Sequence, residues 1–326
     1  VEKRPALAQS RLILIGFSRI IVNNGSVDEP RRRSFSKTVS INDGRRREMV
    51  KRNGITGWLF AQAMILLLLW PATVYCAVGE DQVLEAARQK VAAELSRLDA
   101  GLREAAAELG KTGLAGKSAR PALAKLCGKF DYAVDCAAVN LQGRMATIEP
   151  EAYRRFEGKD ISGQEQVRRV FKTGRPALSS VFVSVEGFPA VDAEYPVVSS
   201  GGKRIGSVSV LFQPEKFLGS VFVPLTRQTS VEIWAMERGG LILYDADASQ
   251  IGLNLFASKR YQPYAGLLAL GKRIAARPQG KGVYEFTQGQ SANVVRKNAL
   301  WKTVSLYGTS WRLVAVTVEH PAGKAK

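Results

Sequence analysis

The stretch VEIWAMERGGLILYDAD, residues 231–247, has the form of a strand, a turn at Arg238-Gly239-Gly240 and a second strand. Earlier in the chain, YAVDCAAVNLQGRMATIE, residues 132–149, has the same form around a turn at Gln142-Gly143-Arg144. Apolar runs bounded by glycine-bearing turns are the signature of hairpins. The segments downstream of each hairpin also repeat. After the first comes a helical GQEQVRRVFKTG stopped by Gly174, then the strand-like ALSSVFVSV, FPAVDAEYPVV and KRIGSVSVLF, parted by turns at Glu186-Gly187 and Ser200-Gly201-Gly202. After the second comes a helical YAGLLALGKRIAA, then GVYEFTQ, SANVVRKNAL, KTVSLY and WRLVAVTVE. The chain is a degenerate duplication of one α+β unit, each copy predicted to hold a mainly antiparallel sheet of about five strands.

Upstream of both copies, Leu84, Val91, Leu95, Leu98, Leu102, Ala106 and Leu109 recur at spacings of three, four and seven. That is one face of a long helix over 82–109, which Gly110 is expected to end. At 1.5 Å per residue it reaches about 40 Å, enough to lie along both units. A shorter helix is expected around 119–126.

Further upstream, Lys51 and Arg52 precede an apolar run from Trp58 to Trp70 broken only by Gln62. Pro71 comes next, and Ala77 and Gly79 stand at the minus-three and minus-one positions of a possible cleavage site. Residues 49–79 therefore read as a signal peptide. An uncleaved anchor competes, because 55–78 is long enough for a bilayer, which needs ~20 apolar residues. In both cases the basic flank stays inside and the chain after residue 79 lies outside. A buried core helix would rarely lack a polar face. Residues 1–48, with RRRSFSK and GRRRE, are expected to be disordered, or to precede a natural start at Met49; a basic cytoplasmic tail is the alternative. The expected organisation is 1–48, the leader 49–79, a long helix with the first module over 80–215, the second module over 216–319, and a tail over 320–326.

This partition governs the charge. The chain has 47 basic and 29 acidic residues, net +18. Residues 1–79 hold 13 basic and 5 acidic, leaving 34 and 24 beyond, with no run of four Lys or Arg. Nucleic-acid binding is not expected, since it needs clustered phosphate contacts. Cys127 and Cys136, nine residues apart, are a candidate disulfide in an oxidising compartment, worth roughly 2 to 3 kcal/mol; two buried thiols are the alternative. No metal or cofactor site is expected: the single histidine is His320 and no CxxC occurs. Nor is an enzyme, since no nucleophile elbow, P-loop or dinucleotide fingerprint is present. Asp245 and Asp247 in YDADASQ read as turn-forming residues, and Tyr261 and Tyr264 as core or as the wall of a second small pocket.

The segments FEGKDISGQEQVRRVFKTGRPALSSVFVS, GFPAVDAEYPVVSSGGKRIGSVSVLF and GGLILYDADASQIGLNLF resemble the double Cache family of extracytoplasmic, PAS-like sensor domains, over roughly residues 81–319. The resemblance implies a ligand pocket in the membrane-distal first module, between its sheet and the covering helix and loops. In amino-acid-binding members an Arg-x-Trp-Tyr motif grips the ligand carboxylate and a Tyr-x-Asp motif the ammonium. Here those positions fall on Gln164, Glu165, Gln166 and Val167, and on Phe182, Val183 and Ser184; a further acid falls on Leu211. The charged anchors of that pattern are absent. A buried ammonium without a carboxylate would be costly, so the implied ligand is a small molecule other than a free α-amino acid. Gln164, Gln166, Phe182 and Ser184 would form an uncharged polar and aromatic lining, with Asp192 and Tyr195 as further contributors. Strand alternation assigns Val181, Val183 and Val185 to the long helix and Ser180, Phe182 and Ser184 to the pocket. In most relatives a second membrane helix and a cytoplasmic output domain come after the second module; with the sequence ending at HPAGKAK, the expectation is either a separate membrane signalling partner or a role as a soluble or tethered binding protein. The competing reading is an envelope interaction protein whose pocket is filled.

Overall fold

The computed structural model describes residues 79–287 and 293–319. The leader, the N-terminal 1–48 and the tail 320–326 lie outside the described residues, so the expectations placed on them do too. Among the described residues, no helix is long and apolar enough to cross a membrane.

Helix α1 spans Glu80–Thr112, with Glu80 and Asp81 in the first turn, where the helix dipole favours acids. All seven residues of the predicted stripe are buried. The expected stop at Gly110 is wrong. Gly110 is a buried helical residue, and a Cβ there would lie 2.2 Å from the carbonyl oxygen of Val198. It is small so that the helix can touch the sheet. The chain turns instead at Gly113, whose φ of 88° suits glycine.

Helix α2 (Arg120–Cys127) leads into β1 (Ala133–Asn140) and β2 (Met145–Glu149), the expected hairpin. After a short 3₁₀ turn comes α3 (Glu165–Thr173), closed by Gly174 at φ 68°. The run 177–185 is not one strand. It forms two fragments, β3 (Ala177–Leu178) and β4 (Phe182–Val183), both against β5 (Pro189–Val198). Strand β6 (Arg204–Phe212) completes a sheet ordered β2-β1-β6-β5-β3, with β4 beside β5. Because the run is broken, the predicted face assignment fails. Val183 is 72% exposed, and Val185 packs with Ala137, Val139 and Val167 on the side away from α1. Only Val181 adjoins the main core.

Helix α4 (Pro214–Thr226) connects to the second sheet: β7 (Glu232–Glu237), β8 (Ile242–Tyr244), then, after α5 (Ala265–Ala276), β9 (Gly280–Thr287), β10 (Val294–Leu306) and β11 (Thr309–Val318). The expected break between SANVVRKNAL and KTVSLY does not occur. Trp301 and Lys302 stay in the ladder, opposite Val314 and Leu313. The order β8-β7-β11-β10-β9 matches the first sheet strand for strand, with helices inserted after the second strand in each. The fold is thus α+β, a long helix and two PAS-like modules.

The principal core lies between α1 and one face of both sheets. Its centre is aromatic: Phe212 of β6, Phe217 of α4 and Trp311 of β11 have ring centroids 5.5 to 6.5 Å apart. Polar ties reinforce the joint. Val181 N donates to Glu237 Oε1 (2.9 Å), and Thr309 Oγ1 donates to the carbonyl of Leu178 (2.6 Å). The candidate disulfide is not formed in this structure, although the two cysteines are neighbours. Cys127 and Cys136 are free thiols. Cys127 Sγ donates to the carbonyl of Glu149 at 3.5 Å, while burial and the neighbouring Cys127 thiol hold the Cys136 thiol well above its usual pKa.

Candidate functional site

Strand alternation gives the first sheet two different faces. Cys136 and Ala138 of β1, Val191 and Ala193 of β5, and Val208 and Val210 of β6 pack toward α1. The opposite face presents Asp135, Asp192, Glu194, Ser207 and Ser209, and it is buried rather than wet. The cover is α3 with the segment around β4. A small cavity lies under it, lined by Asp135, Gln164, Phe182, Ser184, Glu186 and Asp192, with Ser209, Leu211 and apolar neighbours.

The residues read from the sequence are brought together with two exceptions. Gln164, Phe182, Ser184 and Asp192 line the cavity. Gln166 stands just behind: its Nε2 donates to Gln164 Oε1 (2.7 Å) and to Asp192 Oδ2 (3.1 Å), so it positions the wall. Tyr195 is misplaced by one residue of alternation. It lies on the α1 face, its ring 6.4 Å from that of Tyr307, outside the cavity.

The larger correction concerns charge. The lining is not uncharged. Leu211, standing where the family pattern has an acid, pairs with Asp135 on one side and Asp192 on the other. The acids are supplied by the adjacent strands. Five oxygens here are buried without a hydrogen-bond partner among the described residues: Asp135 Oδ2, Ser184 Oγ, Glu186 Oε1, Asp192 Oδ1 and Glu194 Oε2. Unsatisfied buried acceptors at this density are rare in native proteins, where each is expected to have a reason. Among the described residues, no basic side chain lines the cavity. Nor, among them, are three or more His, Cys, Asp or Glu grouped so as to hold a metal ion.

Burial raises the carboxyls of Asp135 and Asp192 well above their usual range, with Glu186 adding to the first and Glu194 to the second. Glu194 is raised as well, chiefly by burial, although Ser207 Oγ donates to it. Two close acids on one face hold a proton between them. A carboxyl raised in the folded state contributes stability that is present below its unfolded pKa, near 4, and lost as pH rises through the folded value. The exposed Glu104, held down to about 2 by Lys125 and Lys129, titrates below that window. Thermal melts are therefore expected to show a lower Tm at pH 8 than at pH 5. Asp192→Asn should raise Tm at pH 8 and change it little at pH 5. A wild-type Tm that climbs over this interval would contradict the assignment.

Residues 93–214, the C-terminal part of α1 and the module that holds this cavity, match the family model for the HK/GC/chemotaxis protein-like sensor domain. The chain carries a sensor domain of Cache type. An extracellular ligand-binding receptor from Desulfohalobium retbaense is 33% identical over 73% of this chain, with a TM-score of 0.63, and this chain covers 40% of that protein's length. The fold recurs at lower identity. Methyl-accepting chemotaxis protein X is 16% identical over 78% of this chain and 100% of its own, TM-score 0.56. The ligand-binding domain of the Pseudomonas aeruginosa chemoreceptor PctB, solved with L-Arg, is 14% identical over 73% and 93%, TM-score 0.53. No curated protein matches the sequence. The sensor domain's acid-lined cavity escapes a reading of the sequence because acids inside strands read as solvent-facing. The available signal is Asp192 and Glu194 at i and i+2 within an otherwise apolar strand, a context from which both residue types are depleted.

Proposed function

We propose that the chain is an extracytoplasmic sensor module that binds a small amine beneath α3 of the first module. The observation that carries this reading is the set of unpartnered oxygens of Asp135, Ser184 and Glu186 around one cavity, with the carboxyl of Asp192 beside them. A protonated amine supplies several N–H donors and a positive charge, and so satisfies acceptors that are otherwise costly to bury. The relatives solved with amino acids point to ligands bearing an ammonium group. A free α-amino acid would bring its carboxylate into a site walled by acids, with no arginine or lysine in its described lining. The ligand is therefore an amine without an α-carboxylate.

Binding works as a population shift with no chemistry. Phe182 and Ser184 directly follow the segment whose backbone is tied to the second module through Val181–Glu237 and Leu178–Thr309. Movement of the cover on a ligand is thereby passed to β7 and β11. A separate membrane partner would receive the signal, with residues 49–79 serving as signal peptide or, through 55–78, as anchor.

A second reading keeps the fold without the sensing. The cavity is only about 20 Å³, room for a water molecule, so a ligand must displace the cover to enter. A thermal-shift screen separates the two. A cognate amine at a hundred times its Kd adds about 2.7 kcal/mol, roughly 5–10 °C in Tm at this size. With ethylamine and 1,4-diaminobutane set against glycine and alanine, stabilisation by an amine that Asp192→Asn removes is the expected result. A flat response to every amine would favour the filled-pocket protein.

A further inference from the structure

The second module contains a larger cavity that plays no part in the sensing proposed for the first. It measures about 190 Å³ and lies between one face of the second sheet, where β7, β8, β9 and β10 all contribute, the loop after β8, and α5. Its walls include Trp234, Tyr261, Tyr284 and Phe286, with the Tyr261 and Phe286 ring centroids 5.8 Å apart. A 150 Å³ apolar cavity is known to take up benzene, so this one has room for a ring and a short substituent.

Charge decides what substituent. Three carboxylates line the cavity: Glu232, Asp245 and Asp247. Glu232 Oε2 is paired with Lys297 Nζ at 2.9 Å, and Asp247 Oδ2 with Arg260 at 2.9 Å. Asp245 makes no ion pair among the described residues. It is held in place, since its Oδ1 accepts from Asp247 N (2.8 Å) and from Gln250 Nε2 (3.4 Å), and Gln250 in turn accepts from Tyr261 OH (3.2 Å). The site is one positive charge short, and the missing charge would sit beside aromatic rings, which attract cations through their faces.

We propose that this cavity is a second ligand site, taking a small organic monocation whose charged end pairs with Asp245 and whose hydrocarbon body lies among Trp234, Tyr261 and Phe286. Binding at this site is independent of the acids in the first module. It also has a pH signature. Burial raises Asp245 to about 7; the hydrogen bond from the Asp247 backbone N–H opposes the rise, the charges of Asp247 and Glu232 add to it, and Lys297 opposes it. Tyr261 and Tyr284, which also face it, are raised by burial and stay neutral throughout. The cation binds the ionised form of Asp245, so affinity rises with pH up to that value and levels off above it. Between pH 6 and pH 8 the ionised fraction changes about tenfold.

Benzylamine, with benzyl alcohol and benzoate as neutral and anionic counterparts, is the test, using calorimetric titration of the 326-residue chain in mild detergent. The expected result is saturable binding of benzylamine alone, about tenfold weaker at pH 6 than at pH 8. Asp245→Asn should weaken it at least tenfold, while Asp160→Asn, an exposed position outside both cavities, leaves it unchanged. The wild-type pH profile stands even where the variant fails to fold. Absence of benzylamine binding, equal binding of benzyl alcohol, a flat pH profile, or loss in Asp192→Asn with retention in Asp245→Asn would each overturn the proposal. The last would move the amine to the first module.

Discussion

Trp311→Ala is expected to lower stability by about 3–5 kcal/mol, the range for deleting a buried aromatic ring, and Tm by roughly 10 °C or more. Trp311 is 1% exposed and makes edge contacts with Phe212 of the first sheet and Phe217 of the connecting helix. The cavity would thus open where the two modules meet, so both should melt together at the lower temperature. Trp311→Phe isolates the cause. The indole Nε1 has no hydrogen-bond partner among the described residues, so phenylalanine keeps most of the packing and removes an unsatisfied donor, and its cost should be much smaller. Urea denaturation monitored by circular dichroism measures both. An alanine cost under about 1 kcal/mol, well below that range, would mean that the aromatic cluster does not join the modules.

Gly110→Ala gives the second large effect, and here two physical rules oppose each other. Helix propensity alone favours alanine over glycine by about 1 kcal/mol. Against it, the new Cβ would lie 2.2 Å from the Val198 carbonyl oxygen, with backbone on both sides of the contact. The helix must then retreat from the sheet, and Ser200 N stretches its bond to the carbonyl of Gly110, now 3.2 Å. Overpacking of this kind costs typically 1–3 kcal/mol, occasionally more; without flexible side-chain atoms to yield, a net loss of about 2–3 kcal/mol is expected. Gly266 in α5 is the control: a Cβ there meets no described atom within 4 Å, so Gly266→Ala should stabilise by about 0.5–1 kcal/mol. Equal signs for the two variants would refute the close-approach account.

These two sites also mark what the sequence makes legible. The stripe of α1, the repeated hairpins and the inserted helices are periodic, and periodicity survives without knowledge of neighbours. Gly110 reads as a helix stop because propensity is local, whereas its actual role depends on Val198, far away in the chain. The run 177–185 alternates like one strand, yet it splits between Leu178 and Phe182: Ser179 Oγ takes the Asp192 N–H in place of a backbone carbonyl, and Val181 N leaves β5 to donate to Glu237 of the second sheet. The site obeys the same division. Gln164, Phe182, Ser184 and Asp192 are reached through a family resemblance, while Asp135, Glu186 and Glu194 escape because nothing local tells which sheet face an insertion will cover. The second cavity shows in the sequence only as an open question about Tyr261.

At the foot of the molecule, Thr317 near the end of β11 donates its hydroxyl to Glu80 at the first residue of α1, 2.7 Å away, and Lys302 reaches Asp81 and Glu85 beside it. The first turn of the helix and the final strand therefore share one clasp. A lengthwise slide of the helix would have to break that clasp, so the start of α1, β10 and the end of β11 are tied to move together.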